Sequence, residues 1–191
     1  MTDMRKLKTV VAVAALAVAS TSCGDVVRQG KSPMFLVIEK LTGGDKDTVP
    51  VRSDVLTKGS VFNDPGTVTL RVVPKNTTAL PAPTTSNNAV TIRRYRVVYT
   101  RSDGHNVPGV DVPYAFDGGV TGTVAPGPAV SLVFDLVRHD AKLESPLASL
   151  VRNVIVLNTI AEVTFYGQDQ VGNEISVTGL ISIDFADFGD S

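Results

Sequence analysis

A regular alternation of apolar and polar residues restricts the fold of this chain more than any other feature. The clearest case is the segment 175–185, in which one face carries Ile175, Val177, Ile181, Ile183 and Phe185. The opposite face carries the polar residues Ser176, Thr178, Ser182 and Asp184. Side chains of a strand point alternately to its two faces, so this pattern predicts half-buried antiparallel strands.

Segments rich in Gly, Pro, Asn and Asp separate the alternating stretches, as expected of turns between strands. We predict turns at 63–66, 102–106 and 118–119, a long loop at 74–88 and a hairpin at 169–173. Gly172 in this hairpin is expected at positive φ. Short strands with regular turns favour a sandwich over a fold of alternating strands and helices.

One segment has the pattern of a short helix between two late strands. Ser145 and Pro146 suit the N-cap and the first turn, and Leu143, Leu147 and Leu150 would then share one face. We predict a helix of about two or three turns that starts at this Ser-Pro pair.

Two aromatic motifs carry a resemblance to known domains. The spacing of Tyr95, Val97 and Tyr99 resembles the third strand of fibronectin type III domains. The segments 165–167 and 172–173 resemble the last hairpin of bacterial immunoglobulin-like modules, although the conserved Trp is missing. The resemblance implies an all-β, immunoglobulin- or fibronectin-III-like antiparallel β-sandwich with one short helix, and it implies no activity.

The amino terminus has the pattern of a secretory signal. Arg5, Lys6 and Lys8 precede an unbroken run of ten apolar residues, 10–19. This run is about half as long as a membrane-spanning helix, which needs ~20 residues. A basic start, a short apolar run and small residues at the expected cleavage site predict a cleaved signal peptide over 1–22.

The residues after the apolar run resemble the lipobox of bacterial lipoproteins. This segment, 20–24, reads STSCG, with Ser20 where the family usually has an aliphatic residue. The resemblance implies cleavage before Cys23 and lipidation of its thiol, and the whole chain resembles exported lipoproteins of bacteria. Cys23 is the only cysteine, so no disulfide could form within the chain. Residues 17–19 also fit ordinary signal peptidase cleavage, which would give a soluble secreted or periplasmic protein.

The polar segment that follows is expected to act as a tether. Residues 23–33 comprise the lipidated cysteine and a tether that spans at most ~35 Å, and 34–191 form one domain. We therefore expect a lipid-anchored protein of the cell envelope. Gly24 in place of Asp favours the outer membrane, at its periplasmic or surface face, if the cell is Gram-negative.

The charge distribution limits the possible partners. The chain has 18 Lys and Arg against 19 Asp and Glu, so no basic stripe favours nucleic acid. Arg94 and Arg96 share a strand face and are a candidate contact patch for an anionic partner such as a lipid headgroup. The alternative is a solvated face with cross-strand partners such as Asp135 or Glu162. Arg93 has the parity of the tyrosines and is expected near the sheet end.

No residue pattern predicts catalysis, a cofactor or a metal. His105 and His139 are isolated, and a triad would need a nucleophile motif that the sequence lacks. Acidic residues near predicted turns could bind calcium, but turn chemistry explains them equally: Asp103, Asp111, Asp117, Asp169 and Glu174. The glycines of 118–122 do not precede a helix, so they do not predict a phosphate site.

These observations favour a non-enzymatic, membrane-anchored binding or structural module in the cell envelope that contacts a protein partner. The alternative is a lipoprotein that binds a glycan or a lipid headgroup, with or without calcium. A hydrolase is the third class, and it would need a catalytic constellation that the sequence does not show.

Overall fold

A computed structural model describes residues 31–44, 49–76 and 86–189 of the protein. The predicted signal, Cys23 and most of both the tether and the 74–88 loop lie outside the described residues. The described part has eight strands: β1 (Met34–Gly43), β2 (Val51–Asp54), β3 (Asp64–Pro74), β4 (Val90–Thr100), β5 (Phe116–Val124), β6 (Val130–Val137), β7 (Leu157–Asp169) and β8 (Glu174–Ala186). It has one α-helix, α1 (His139–Leu143), and 3₁₀ turns at Ser86–Asn88 and Leu147–Leu150. The all-β prediction is therefore confirmed.

The strands form two sheets that pack face to face. One has the order β1-β3-β6, and the other, which is curled, has the order β2-β8-β7-β4-β5. All strand pairs are antiparallel except that β2 runs parallel to β8, with Val51 opposite Ile183. The prediction of a purely antiparallel fold is wrong at this edge, because alternation records which face is buried and not the direction of the neighbouring strand.

The core lies between the sheets and contains the predicted apolar faces. Val68, Leu70 and Val72 of β3 are buried, as are most members of the predicted apolar face of β8. Phe134 packs edge-on against Tyr95 and Phe165, with ring centroids 5.0 and 5.1 Å apart. Edge-to-face packing of this kind stabilises the contact beyond the area it buries.

The predicted single short helix between late strands is present, but its predicted start at Ser145–Pro146 is wrong. The chain forms α1 before this pair and a single 3₁₀ turn, Leu147–Leu150, after it. A residue that precedes proline disfavours the helical conformation, so the two segments cannot join. Leu147 and Leu150 are buried as expected, but Leu143 is exposed.

Two predicted turns are strand residues instead. β3 begins at Asp64, inside the predicted 63–66 turn, and a register shift lies between Asp64 and Pro65. The 118–119 pair lies within β5, where Gly118 is opposite Tyr95. The predicted hairpin at 169–173 is confirmed, with Gly172 at φ 89°.

The two ends of the sandwich differ in what they carry. At the end that we call the tether end, the Ser32 hydroxyl binds the Asp169 carboxylate, and the Lys75 amide donates to the Pro33 carbonyl. The 74–88 loop starts here too. The opposite, distal end carries α1 and the long loop between β4 and β5. None of the described helices is long and apolar enough to cross a bilayer.

Candidate functional site

The arginines predicted as a contact patch lie on the outer face of the five-stranded sheet. Arg96 is opposite Asp117 of β5, and their side chains approach to 2.6 Å between Nη1 and Oδ2. Arg94 Nη1 is 3.4 Å from Oδ1 of the same carboxylate. The prediction that Asp135 or Glu162 pairs with these arginines is wrong. Asp135 belongs to β6 in the other sheet, and Glu162 lies opposite Val98.

Arg93 is exposed because of a bulge and not because it lies at the sheet end. The β4–β7 register passes from Ile92–Gly167 to Arg94–Tyr166, so Arg93 has no partner opposite it. One extra residue reverses the parity of the strand. Arg93 and Arg94 therefore both point towards solvent, while Ile92 and Tyr95 on either side are buried.

The bulge opens a depression of about 180 Å³ on this face near the tether end. Arg93, Arg94, Tyr166, Gln168 and Glu174 line it, together with Gly167 and Ile175. The Arg94 guanidinium lies 3.8 Å from the Tyr166 ring centroid, in a cation–π arrangement. The guanidinium groups are donors that suit a small group with a phosphate or carboxylate, whereas the Glu174 carboxylate would repel such an anion.

The histidines predicted as surface residues lie in separate places. His105 is in the β4–β5 loop beside Asp103, whose carboxylate pairs with Arg101. His139 opens α1, where its Nε2 is 2.9 Å from Asp140 and its Nδ1 is 3.1 Å from Asn63 Oδ1. Within the described residues, neither histidine side chain hydrogen-bonds to a hydroxyl or a thiol.

Four of the five acidic residues considered for calcium make protein contacts, and the fifth, Glu174, lines the depression. Asp169 accepts hydrogen bonds from the Val171 and Asn173 amides and from the Asn173 side chain. Asp111 accepts from the Val107 amide, and Asp117 pairs with the arginines. Within the described ranges no cluster of three His, Cys, Asp or Glu residues could hold a metal ion.

The hydrogen bonds that Asp169 accepts also lower its pKa. Burial acts to raise the pKa of Asp169, but the hydrogen bonds from Asn173, Val171 and Ser32 outweigh it and hold the pKa below the usual 3.8. Asp169 thus closes the β7–β8 hairpin and also fixes the start of the domain at Ser32.

A buried charged cluster was not predicted from the sequence. The Lys142 ammonium lies 2.8 Å from the Asp54 carbonyl and 2.9 Å from Asp64 Oδ2. The Ser53 hydroxyl donates to the same Asp64 oxygen at 2.5 Å. Burial raises the pKa of Asp64 above 3.8, although Lys142 and Ser53 act in the opposite direction. Ser53 is fully buried, so its hydroxyl is closed to substrates and the cluster holds α1 against β2 and β3.

No local signal in the sequence marks Lys142, because its segment, 138–144, also carries Arg138, Asp140 and Glu144 and reads like an exposed charged stretch. Its ion-pair partner, Asp64, lies in the 63–66 segment, which the sequence predicts as a turn. The contact joins residues 78 positions apart, and only the β3–β6 pairing brings them together.

Exposed apolar side chains concentrate at the distal end. Nine of the fourteen large apolar residues that are exposed in the described ranges lie there: Val49, Phe62, Val107, Val110, Tyr114, Leu143, Val154, Ile155 and Val156. Val154 is fully exposed. Val49, Ser102 and Ile160 also line a hollow of about 400 Å³ at this end.

Comparisons with known proteins add little. No family model matches the chain, and no curated protein is significantly similar to it. The structural genomics target SoR45 aligns over 81% of this chain and 86% of its own, with 11% identity and a TM-score of 0.35. A structural genomics target from Bordetella pertussis, named for ApaA, aligns over 81% of this chain and 95% of its own, with 13% identity and a TM-score of 0.34. Likenesses this weak carry no argument about fold or function.

Proposed function

We propose that this protein is an envelope lipoprotein, anchored by Cys23, whose β domain is a non-enzymatic binding module for a protein partner. The observation that carries the proposal is the concentration of exposed apolar residues at the distal end, opposite the tether. Contiguous exposed apolar surface commonly marks an interaction site. An anchor at one end and an apolar surface at the other suit a module that presents itself to a partner.

The 151–156 segment is the strongest part of this surface. Val154, Ile155 and Val156 are consecutive exposed aliphatic residues in the connection that leads into β7. Binding residues are often on loops that a rigid scaffold positions. The two sheets below supply that scaffold, and we propose that they form an immunoglobulin- or fibronectin-III-like sandwich, modified by the parallel strand β2.

The anchor is tested by fatty-acid labelling of the full chain in a bacterial host. We expect label on the wild type and none on Cys23→Ala, with the wild type in the membrane fraction and the variant released. Equal labelling of the two forms, or an unmodified thiol in the mass spectrum of the wild type, would reject the anchor. A soluble, cleaved wild type would favour the secreted alternative.

The partner surface is tested by crosslinking in the same cells. A photoreactive amino acid replaces Ile155 at the distal end or, as the control, Leu180, which is at least as exposed but lies midway along β8. We expect a discrete adduct from position 155 that is lost when Val154 and Val156 are both changed to Ser. Equal adducts from both positions would contradict the proposal.

A second candidate function is the binding of an anionic group, such as a lipid headgroup, in the depression at Arg93 and Arg94. The specific observation is that the bulge exposes two adjacent guanidinium groups beside Tyr166. Asp117 and Glu174 offset this positive charge, so the depression would need a short-range fit and not a strong field. Titration with inorganic phosphate, compared between the wild type and Arg93→Gln, tests this candidate.

A further inference from the structure

The outer face of the three-stranded sheet has an exposed apolar patch at the tether end. Phe35 lies opposite Val73 on this face, and Val37 follows two residues later. Phe35 is 52% exposed, and the Lys75 ammonium lies 5.2 Å from the centre of its ring. These four residues, Phe35, Val37, Val73 and Lys75, are called the tether-end patch. Phe35 and Val37 are neighbours on one face and are both exposed, and contiguous exposed apolar surface commonly marks an interaction site.

The course of the chain indicates what covers the patch. Ser32 is buried and bound to Asp169, so the domain holds the chain from this residue onwards. Eight residues, 24–31, separate Ser32 from Cys23, and they reach at most about 28 Å. Phe35 is only three residues beyond Ser32. A membrane that holds Cys23 would therefore lie within reach of the patch.

The chemistry of the patch suits the surface of a bilayer. Phe35 and the two valines can enter the boundary between headgroups and acyl chains, while the lysine head stays among the headgroups. Arg71 lies at the border of the patch, where Glu39 balances it at 2.6 Å. Lys75, beside the Phe35 ring, and the exposed Lys31 lie next to these apolar side chains, at a place where lysine heads can contact anionic headgroups.

We infer that the tether-end patch rests on the bilayer to which Cys23 anchors the chain. This inference rests on the proposed lipidation. It gives the domain a fixed orientation, in which the tether end touches lipid and the distal end projects away from it.

The chain has no tryptophan, so a single introduced Trp reports its own surroundings. The test uses full-length lipidated protein in vesicles of phosphatidylethanolamine and phosphatidylglycerol, with or without bromine on the acyl chains. Phe35→Trp places the reporter on the patch, and Val37→Trp is a second reporter there. The matched control is Val133→Trp, which is exposed on the same sheet face but lies about 20 Å towards the distal end.

We expect the Phe35→Trp and Val37→Trp emission to shift to the blue and to lose intensity with brominated lipid, while Val133→Trp shows neither change. Equal quenching at all three positions, or none, in protein that floats with the vesicles would overturn the inference and leave the anchor intact. Protein that does not float would overturn both. A blue shift of Phe35→Trp that grows with protein concentration in the absence of vesicles would assign the patch to a second copy of the chain, and would also overturn it.

Discussion

Lys142 places a positive charge in the interior of the sandwich, with only 2% of its surface exposed. Removing an ammonium group from water costs several kcal/mol. The Asp54 carbonyl and the Asp64 carboxylate offset this cost through short hydrogen bonds. The cluster therefore constrains where α1 sits, because a displacement of the helix would separate the buried ammonium from these two partners.

We predict that Lys142→Met destabilises the protein by about 3 kcal/mol at pH 7, towards the low end for breaking a buried ion pair, since Asp64 keeps some contact with solvent. The Asp64 carboxylate would lose the cation that faces it. The pKa of Asp64, already raised by burial, would therefore rise further. A raised pKa means that the folded state binds the proton first as the pH falls. The difference in the free energy of unfolding between the wild type and Lys142→Met should therefore shrink as the pH falls from 7 to 5. Urea unfolding at each pH measures this difference.

The double variant Asp64→Asn with Lys142→Met is the control for this prediction. It removes both charges, so it should be more stable than Lys142→Met alone at pH 7, and it should lack the pH dependence of this site. A constant deficit of Lys142→Met across the pH range would show that lost packing, and not the unpaired Asp64, causes it.

At the scale of elements, the alternation in the sequence predicts most strands and their buried faces, because it reflects burial directly. It cannot locate the bulge at Arg93, since one extra residue only shifts the parity between Ile92 and Tyr95. It also cannot show that Ser145 and Pro146 separate two short helical segments. These features depend on neighbouring strands and on backbone sterics, which have no period in the sequence.

The glycines of β5 show how a neighbouring strand limits an element. A Cβ atom on Gly118 would lie 2.3 Å from the Tyr95 ring, whereas one on Gly119 would meet nothing within 4 Å. Tyr95 is buried between Phe116 and Phe134, so its ring has little freedom to move. Gly118 is thus required by packing, and Gly119 is not.

We predict that Gly118→Ala lowers the free energy of unfolding by about 1–3 kcal/mol, because it overpacks the site against Tyr95. Gly119→Ala is the matched control in the next position of the same strand, and it should change stability by less than about 0.5 kcal/mol. Thermal unfolding compares the two, and near-ultraviolet circular dichroism reports the tyrosine. Equal effects would mean that β5 shifts to accommodate either methyl group.

At the scale of the whole molecule, the sequence predicts one β domain behind a tether but not the contrast between its ends. The placement of Arg94 and Arg96 on one outer face follows from strand parity, and their role as a contact patch stays a prediction. The tether-end patch and the distal apolar surface depend on which strand ends lie together. That arrangement follows from the strand order, which no local pattern encodes.

The length of the tether sets how strongly the anchor concentrates the patch at the membrane. Inserting about 20 flexible Gly and Ser residues within 24–31 should lower the effective concentration of the patch at the bilayer about sixfold, since it falls roughly as the −3/2 power of linker length. We predict that this insertion reduces lipid quenching of Phe35→Trp while flotation with vesicles is unchanged, because the lipid on Cys23 remains. An inserted stretch of the same length after Asn106, in the distal β4–β5 loop, is the control and should leave quenching as it was. Full quenching with the long tether would show that the patch binds lipid without help from the anchor.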